Sequence, residues 1–294
     1  MALPQPLVQI GRGFAMGAAD IVPGVSGGTI ALIVGIYEKL VTTIRTGTAA
    51  LAVVLKGDWA GMKRSLSAID WTWIISLGIG ILAAVALLSS VIENLLHDQP
   101  IAMAALFFGL VSGSLVIAWR LITNPASLHL AVTATVGIAF FLILGLRSDT
   151  TATAADTVTH PWWIFFAAGA LAICAMILPG ISGSFILVMI GMYADVLGAV
   201  TSRDLAALAA FAIGAVAGLA GFSTLLNWAL TNHHDLVMAI MVGLLVGSLR
   251  VVWPWPNGTW TTDLAAPSGT VIVPILLAIV GAGAVVGLDR LARR

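Results

Sequence analysis

Long apolar runs separated by short polar breaks fill most of the chain. A helix that crosses a bilayer needs about 20 apolar residues. Six runs reach or approach that length: 72–92, 101–121, 128–146, 205–230, 236–253 and 270–289. Two further apolar regions are broken in the middle. Region 8–37 is interrupted at Pro23-Gly24-Val25-Ser26-Gly27-Gly28, and region 161–198 at Pro179-Gly180-Ile181-Ser182-Gly183-Ser184. Proline removes a backbone donor and glycine admits unusual dihedrals, so each break reads as a true helix interruption. Unpaired backbone at membrane depth persists only where it lines a cavity or is buried in protein. Both regions therefore read as re-entrant hairpins. Full crossing as helix pairs is the alternative, and it leaves the sidedness of every other loop unchanged. Residues 46–67 mix Leu, Val and Trp with Lys and Arg, a pattern that suits a helix lying on the membrane surface.

Composition removes the soluble alternatives. Of 294 residues, 60% are hydrophobic and 9% charged, and the mean hydropathy is +1.08. A soluble fold of this size cannot hide so much apolar surface. The fold class expected is an all-α polytopic membrane protein. The 13 basic and 13 acidic residues cancel, which leaves no electrostatic footprint for nucleic acid. Cys174 is the single cysteine and no Cys/His cluster has ligand spacing, so no disulfide, metal or cofactor is expected. The first apolar stretch carries Arg12 and Asp20 and runs on without a cleavage site, unlike a cleaved signal.

Charge also sets sidedness. Arg12, Lys39, Arg45, Lys56, Lys63, Arg64, Arg120, Arg290, Arg293 and Arg294 fall on one side. Arg147, Arg203 and Arg250 fall on the other. The positive-inside rule puts the first group, and both termini, in the cytoplasm. Trp71, Trp73, Trp119, Trp162, Trp163, Trp228, Trp253 and Trp255 stand near span ends and read as interfacial anchors.

The two broken regions repeat each other. Ala19–Tyr37 aligns without gaps to Ala175–Tyr193, with nine of nineteen positions identical, including Pro23/Pro179, Gly24/Gly180, Ser26/Ser182, Gly27/Gly183, Gly35/Gly191 and Tyr37/Tyr193. Gly109–Trp119 aligns in the same way with Gly243–Trp253. The chain thus divides into repeats at 1–150 and 151–294, each with one Pro-Gly-broken hairpin and three spans. Three is odd, so the second repeat enters from the opposite side. This is the inverted-topology plan of secondary transporters, whose broken helices mark the binding site.

At such a break the following half-helix exposes free N–H groups and a partial positive charge, which suit an anion. Ser26, Gly27, Gly28 and Thr29, behind Pro23 and Gly24, make one tip. Ser182, Gly183 and Ser184, behind Pro179 and Gly180, make the other. Neither is a Walker loop, because the Gly-Lys-Ser/Thr ending is missing. Close helix packing alone is the competing use of these small residues. Ionisable residues inside spans are costly and become functional candidates. Arg250 inside the span 236–253, Arg120 and Arg12 are the candidate phosphate ligands. Asp20, a lone carboxylate three residues before Pro23, and Glu38, which follows the first paired tyrosine, are the candidates for coupling to H+ or Na+. A fixed ion pair of Asp20 with Arg12 is the alternative. No residue reads as catalytic.

The string Met16-Gly17-Ala18-Ala19-Asp20-Ile21-Val22-Pro23-Gly24-Val25-Ser26-Gly27-Gly28-Thr29, with Gly35-Ile36-Tyr37-Glu38, closely resembles the signature of the bacterial polyprenyl-phosphate transporter family. Leu178–Ser184 with Gly191-Met192-Tyr193 resembles its second motif. Phe107-Phe108-Gly109-Leu110 with Gly113-Ser114 resembles its middle motif, and Gly247–Arg250 with Trp253-Pro254-Trp255 its late one. The resemblance covers nearly the whole chain. It implies a lipid flippase that returns undecaprenyl phosphate across the inner membrane for reuse in cell-wall biogenesis, with the polyprenyl phosphate lipid as partner; the sequence leaves a homo-oligomer open. The undecaprenyl-diphosphate phosphatases also carry an inverted repeat and a Pro-Gly-x-Ser motif. There the serine is followed by Arg and paired glutamates assist. Here Gly27 and Gly183 follow the serines, and Glu38 and Glu93 are the only glutamates, so no general base stands ready for phosphoryl transfer. A small-ion or solute transporter is the third reading.

Overall fold

The structure is a computed structural model that describes residues 4–21, 26–55, 57–146 and 160–292. In the first half, α1 (Gln5–Asp20) and α2 (Gly27–Ile33) flank the first break. They are followed by α3 (Tyr37–Leu55), α4 (Trp59–Ser67), α5 (Trp71–Asp98), α6 (Pro100–Trp119) and α7 (Ser127–Gly145). In the second half, α8 (Trp162–Ile177) and α9 (Gly183–Met189) flank the second break. They are followed by α10 (Tyr193–Ser202), α11 (Leu205–Asn232), α12 (His234–Ser248) and α13 (Ile272–Ala292). No strand occurs among the described residues. Pro23 and Gly24 lie outside the described residues, as does the expected repeat boundary after residue 150.

Four helices, α5, α6, α7 and α11, are long and apolar enough to cross a membrane. Large apolar side chains on them, such as Leu82, Leu87, Ile138, Leu142 and Ile213, point outward. Lipid, not water, suits such a surface. The expected span 236–253 is corrected. α12 ends at Ser248, and beyond it Leu249, Arg250 and Val251 donate to Val246, Gly247 and Ser248 carbonyls in tight three-residue turns. Pro254 and Pro256 then prevent return to a helix. Arg250 therefore lies in a turn after the helix, not inside a span. Fifteen residues give α12 about 22 Å of length, less than the roughly 30 Å hydrocarbon core. The segment expected at 46–67 is two helices: α3 runs unbroken from Tyr37 to Leu55, and α4 follows with no buried residue.

The element lengths echo across the two halves. α1 and α8 have 16 residues each, α2 and α9 have 7, and α5 and α11 have 28. Gly35 and Gly191 close α2 and α9 at φ of 69° and 74°, a region that L side chains with a Cβ avoid.

Glycines set the packing. Gly13 and Gly17 of α1 lie on the backbone of Leu77 and Ile81 in α5. Gly214 and Gly218 of α11 lie on Phe166 and Ala170 in α8. Gly109 and Gly113 of α6 lie on Ala278 and Ala282 in α13, and Gly243 and Gly247 of α12 face Thr133, Val136 and Phe140 in α7. Each pair places two glycines four residues apart on one helix, the spacing that lets transmembrane backbones touch. Two pairs join helices of the same half, and two join helices of opposite halves. The main core lies where they converge, around Leu32, Tyr37, Leu77, Phe107, Ile177, Met238 and Leu245.

Not all tryptophans are anchors. Trp71, Trp162, Trp163 and Trp228 are exposed, but Trp73 and Trp255 are buried. Trp73 lies under the Lys39 ammonium, and Trp255 donates to the Ser268 carbonyl. Lys39 also meets Asp70 at 2.9 Å, and Asp70 caps α5 by accepting from the Trp73 N–H.

Two expectations follow. A Cβ at Gly214 would collide with the Phe166 backbone, whereas at Gly221 it would meet open space. Gly214→Val should therefore cost about 3 kcal/mol or abolish folding, and Gly221→Ala should be near neutral, in thermal denaturation of the purified protein. The Lys39 hydrogen bond, aided by the Trp73 N–H, holds the Asp70 carboxyl below the ordinary carboxylate value. The stabilisation is thus present above the unfolded value of about 3.9 and lost as pH falls through the folded one. Asp70→Asn should lower Tm at pH 5–7, with the difference shrinking below about pH 4.

Candidate functional site

The two breaks lie against each other, and the first hairpin closes around the end of α8. Ser26 has extended backbone and caps α2: its hydroxyl accepts the Gly28 N–H at 3.1 Å. The same hydroxyl donates to the Met176 carbonyl at 3.4 Å. Tyr37, at the start of α3, donates to the Ile177 carbonyl at 3.0 Å. The last carbonyls of a helix have no partner within it. Two hydroxyls of the first half therefore satisfy two terminal carbonyls of α8. In return, the Gly180 N–H donates to Thr29 Oγ1 at 3.0 Å. Ser26, Thr29 and Tyr37 are all buried, as is Pro179. A Cβ at Gly180 would come within 3.3 Å of the α12 backbone and 3.2 Å of the Ser248 hydroxyl, so this break sits on the last turn of α12.

The anion-binding donors of the first tip are in use. The Gly27 N–H donates to Asp20 Oδ1 at 2.6 Å, and the Thr29 N–H donates to the Ser26 carbonyl at 2.9 Å. A carboxylate of the chain itself thus occupies the position at which the sequence suggested an incoming anion. The second tip differs in chemistry at Met176, Ser184 and Phe185, which stand where the first has Asp20, Gly28 and Thr29. Ser182 again stands at the head of its half-helix with extended backbone, but Gly183 faces the Met176 side chain where Gly27 faces Asp20. The side chain of Ser184 lies outside the described residues.

The arginines are spread apart. Arg12 donates to Gln9 one turn away, and eight helical residues, about 12 Å, separate it from Asp20. The ion pair of Arg12 with Asp20 is thereby excluded, and Arg12 is not brought to the tips. Arg120 is exposed at the end of α6. Arg250 follows Ser248 by two residues. Its Nε donates to the Thr262 carbonyl at 2.9 Å, and its guanidinium lies 4.8 Å from the Phe141 ring centre and against Gly145 at the end of α7. A helix C-terminus and an aromatic face both favour a cation there. Glu38 is not with Asp20; it meets His234 Nε2 at 3.2 Å, beside Asp235, which accepts the Thr123 and Asn124 N–H groups. No group of His, Cys, Asp and Glu able to hold a metal occurs among the described residues.

Tyr37, Met176, Ile177 and Ser248 join the tips at this junction, although their residue types alone mark no role. The identity of Tyr37 with Tyr193 across the repeats was the available signal. Thr29→Val keeps the shape and deletes the acceptor of a buried N–H, so it should cost about 1–3 kcal/mol in thermal denaturation. Thr42→Val, at an exposed Thr–Asn contact, is the milder control.

Residues 16–272 match the undecaprenyl phosphate translocase-like family. A polyprenyl-phosphate transporter of Vibrio cholerae is 42% identical over 246 residues, which is 83% of this chain and 76% of that protein. A polyprenyl-phosphate transporter of Staphylococcus aureus is 33% identical over 260 residues, 84% of this chain and 86% of that protein. No solved structure matches. The matched stretch contains both breaks and their junction, and on that ground the chain belongs to the undecaprenyl phosphate translocase-like family, a family of transporters and not of enzymes.

Proposed function

We propose that this protein carries a polyprenyl phosphate, undecaprenyl phosphate by its family, across the bacterial inner membrane so that the lipid carrier is used again. The observation that carries the reading is the junction of the two breaks, where Ser26, Thr29 and Tyr37 hold Met176, Ile177 and Gly180. An anionic headgroup cannot enter hydrocarbon unaided. A junction of small and hydroxyl-bearing residues offers it a polar path while the tail stays in lipid.

The architecture proposed is an inverted-topology repeat of two re-entrant hairpins, one entering from each side. Matched helix lengths, the shared tip residues and the paired glycines support it. The cation count puts both termini in the cytoplasm. Rocking of the halves would then present one phosphate site, built from Ser26–Thr29 and Pro179–Ser184 with Arg250 behind it, to either side. Two anions cannot share one donor at short range. The phosphate therefore reaches the Gly27 N–H only when Asp20 swings away or is neutralised by a proton or a sodium ion, which couples lipid movement to that ion.

Reconstitution into liposomes with a labelled polyprenyl phosphate tests both parts. The wild type should move the lipid between leaflets and respond to an imposed pH or sodium gradient. Asp20→Asn should lose the response, and Gly27→Leu, whose side chain would meet the Asp20 carboxylate, should lose transport at normal expression. Gradient-independent transport by the wild type would remove the coupling role of Asp20. Release of phosphate from the diphosphate lipid, without movement of the monophosphate, would overturn the transporter reading.

A further inference from the structure

Tyr37 and Tyr193 hold the same place in the two repeats, each at the head of the helix that follows the broken pair. Their surroundings differ. Tyr37 is 2% exposed and its hydroxyl is spent on the Ile177 carbonyl. Tyr193 is 43% exposed, and its hydroxyl makes no hydrogen bond among the described residues. A buried tyrosine hydroxyl needs a partner, and the end of a broken helix supplies an unpaired carbonyl. Repeats of one sequence pattern in unequal environments are the mark of one end-state of an exchange between them.

We infer that Tyr37 and Tyr193 are reciprocal latches, each holding one of the two states of the transport cycle. The inference rests on the inverted-repeat reading above. In the state seen, Tyr37 binds the end of α8 and shuts the first hairpin against it. In the opposite state, Tyr193 binds the aligned carbonyl, that of Ile21 at the end of α1, and Tyr37 is released to water. Ile177 aligns with Ile21 and Tyr37 with Tyr193, so the mirror latch has its donor and its acceptor. It lacks one further acceptor, because Phe185 stands where Thr29 accepts the Gly180 N–H. Among the described residues the clamp seen uses three bonds across the junction, and Phe185 leaves its mirror one acceptor short. One neutral hydrogen bond corresponds to roughly a fivefold bias, so the resting protein favours the state with Tyr37 closed. With α3 on the cytoplasmic side, that state is shut toward the cytoplasm and poised to receive lipid from the outer leaflet. The tyrosines are positioning residues in this scheme and need not touch the phosphate.

Hydrogen exchange of the full chain in lipid nanodiscs, followed by mass spectrometry over residues 177–182, reads the latch directly. Tyr37→Phe should speed exchange there several-fold, because the mirror state becomes as populated as the closed one. Tyr193→Phe should slow it several-fold, and the double variant should return toward wild type. A merely structural tyrosine would speed exchange in both single variants. That result, or no effect of Tyr193→Phe, overturns the latch. In a Cys174→Ala background, Arg45→Cys and Thr201→Cys labelled with a membrane-impermeant maleimide test the repeat itself. Labelling from opposite faces with non-reciprocal exchange removes the latch alone; labelling from the same face removes the inverted repeat with it.

Discussion

A helix broken inside hydrocarbon must find partners for its freed N–H and C=O groups within the protein, since no water is there to take them. This chain breaks two helices and answers the need by crossing the breaks. Hydroxyls of the first half take the carbonyls that α8 leaves open, and a threonine of the first takes the Gly180 amide of the second. The burial of Tyr37 and the closeness of Gly180 to α12 follow from that requirement. A solvated loop could have satisfied the same groups with water and would have fixed nothing.

The shared Pro-Gly-x-Ser-Gly core of the tips makes the difference in charge between them informative. Asp20 and Met176 hold equivalent positions, each facing a glycine at the head of the next half-helix. A carboxylate that accepts a backbone N–H makes a charge-assisted bond, and Asp20 accepts the Gly27 N–H at 2.6 Å. A thioether in the same position accepts hydrogen bonds only weakly. The two tips therefore differ in affinity for an anion even though their backbones repeat. In the proposed cycle, that difference gives the site a direction that perfect symmetry would deny it.

How far the sequence was legible depended on the range of the interaction. The breaks were readable because proline and glycine act on their own backbone. α5, α6, α7 and α11 were readable because an apolar run of sufficient length has few other places to go. The end of α12 was not, because Leu249, Val251, Val252 and Trp253 continue the apolar pattern after the backbone has left the helix. Burial of these residues is tertiary: Val252 is fully enclosed although it lies in a turn. Arg12 and Arg250 were legible as charges but not in their partners, for the same reason. Their charge marks them as costly inside a membrane, but only three-dimensional neighbours show that Arg12 turns to Gln9 and that Arg250 lies on Phe141. The glycine pairs were present in the sequence, yet which helix each would meet depended on the fold.

Those glycine pairs also constrain how the protein is made. Two of the four close pairings, α6 with α13 and α7 with α12, join segments from opposite halves. Gly109 leaves the ribosome about 170 residues before its partner Ala278. At ordinary translation rates that is a wait of roughly 10 to 30 s in the bilayer. During it, α6 exposes its glycine-lined face, and α7 the face that the glycines of α12 will meet, to lipid and to wrong partners. The α1–α5 pair, complete within one half, forms without such a delay. Biogenesis therefore has a built-in order: the first half can be inserted and partly packed, but its last two helices stay unmatched until α12 and α13 are made. A nascent chain stalled in the second half would present to the cell's quality-control proteases a membrane protein with two bare helix faces.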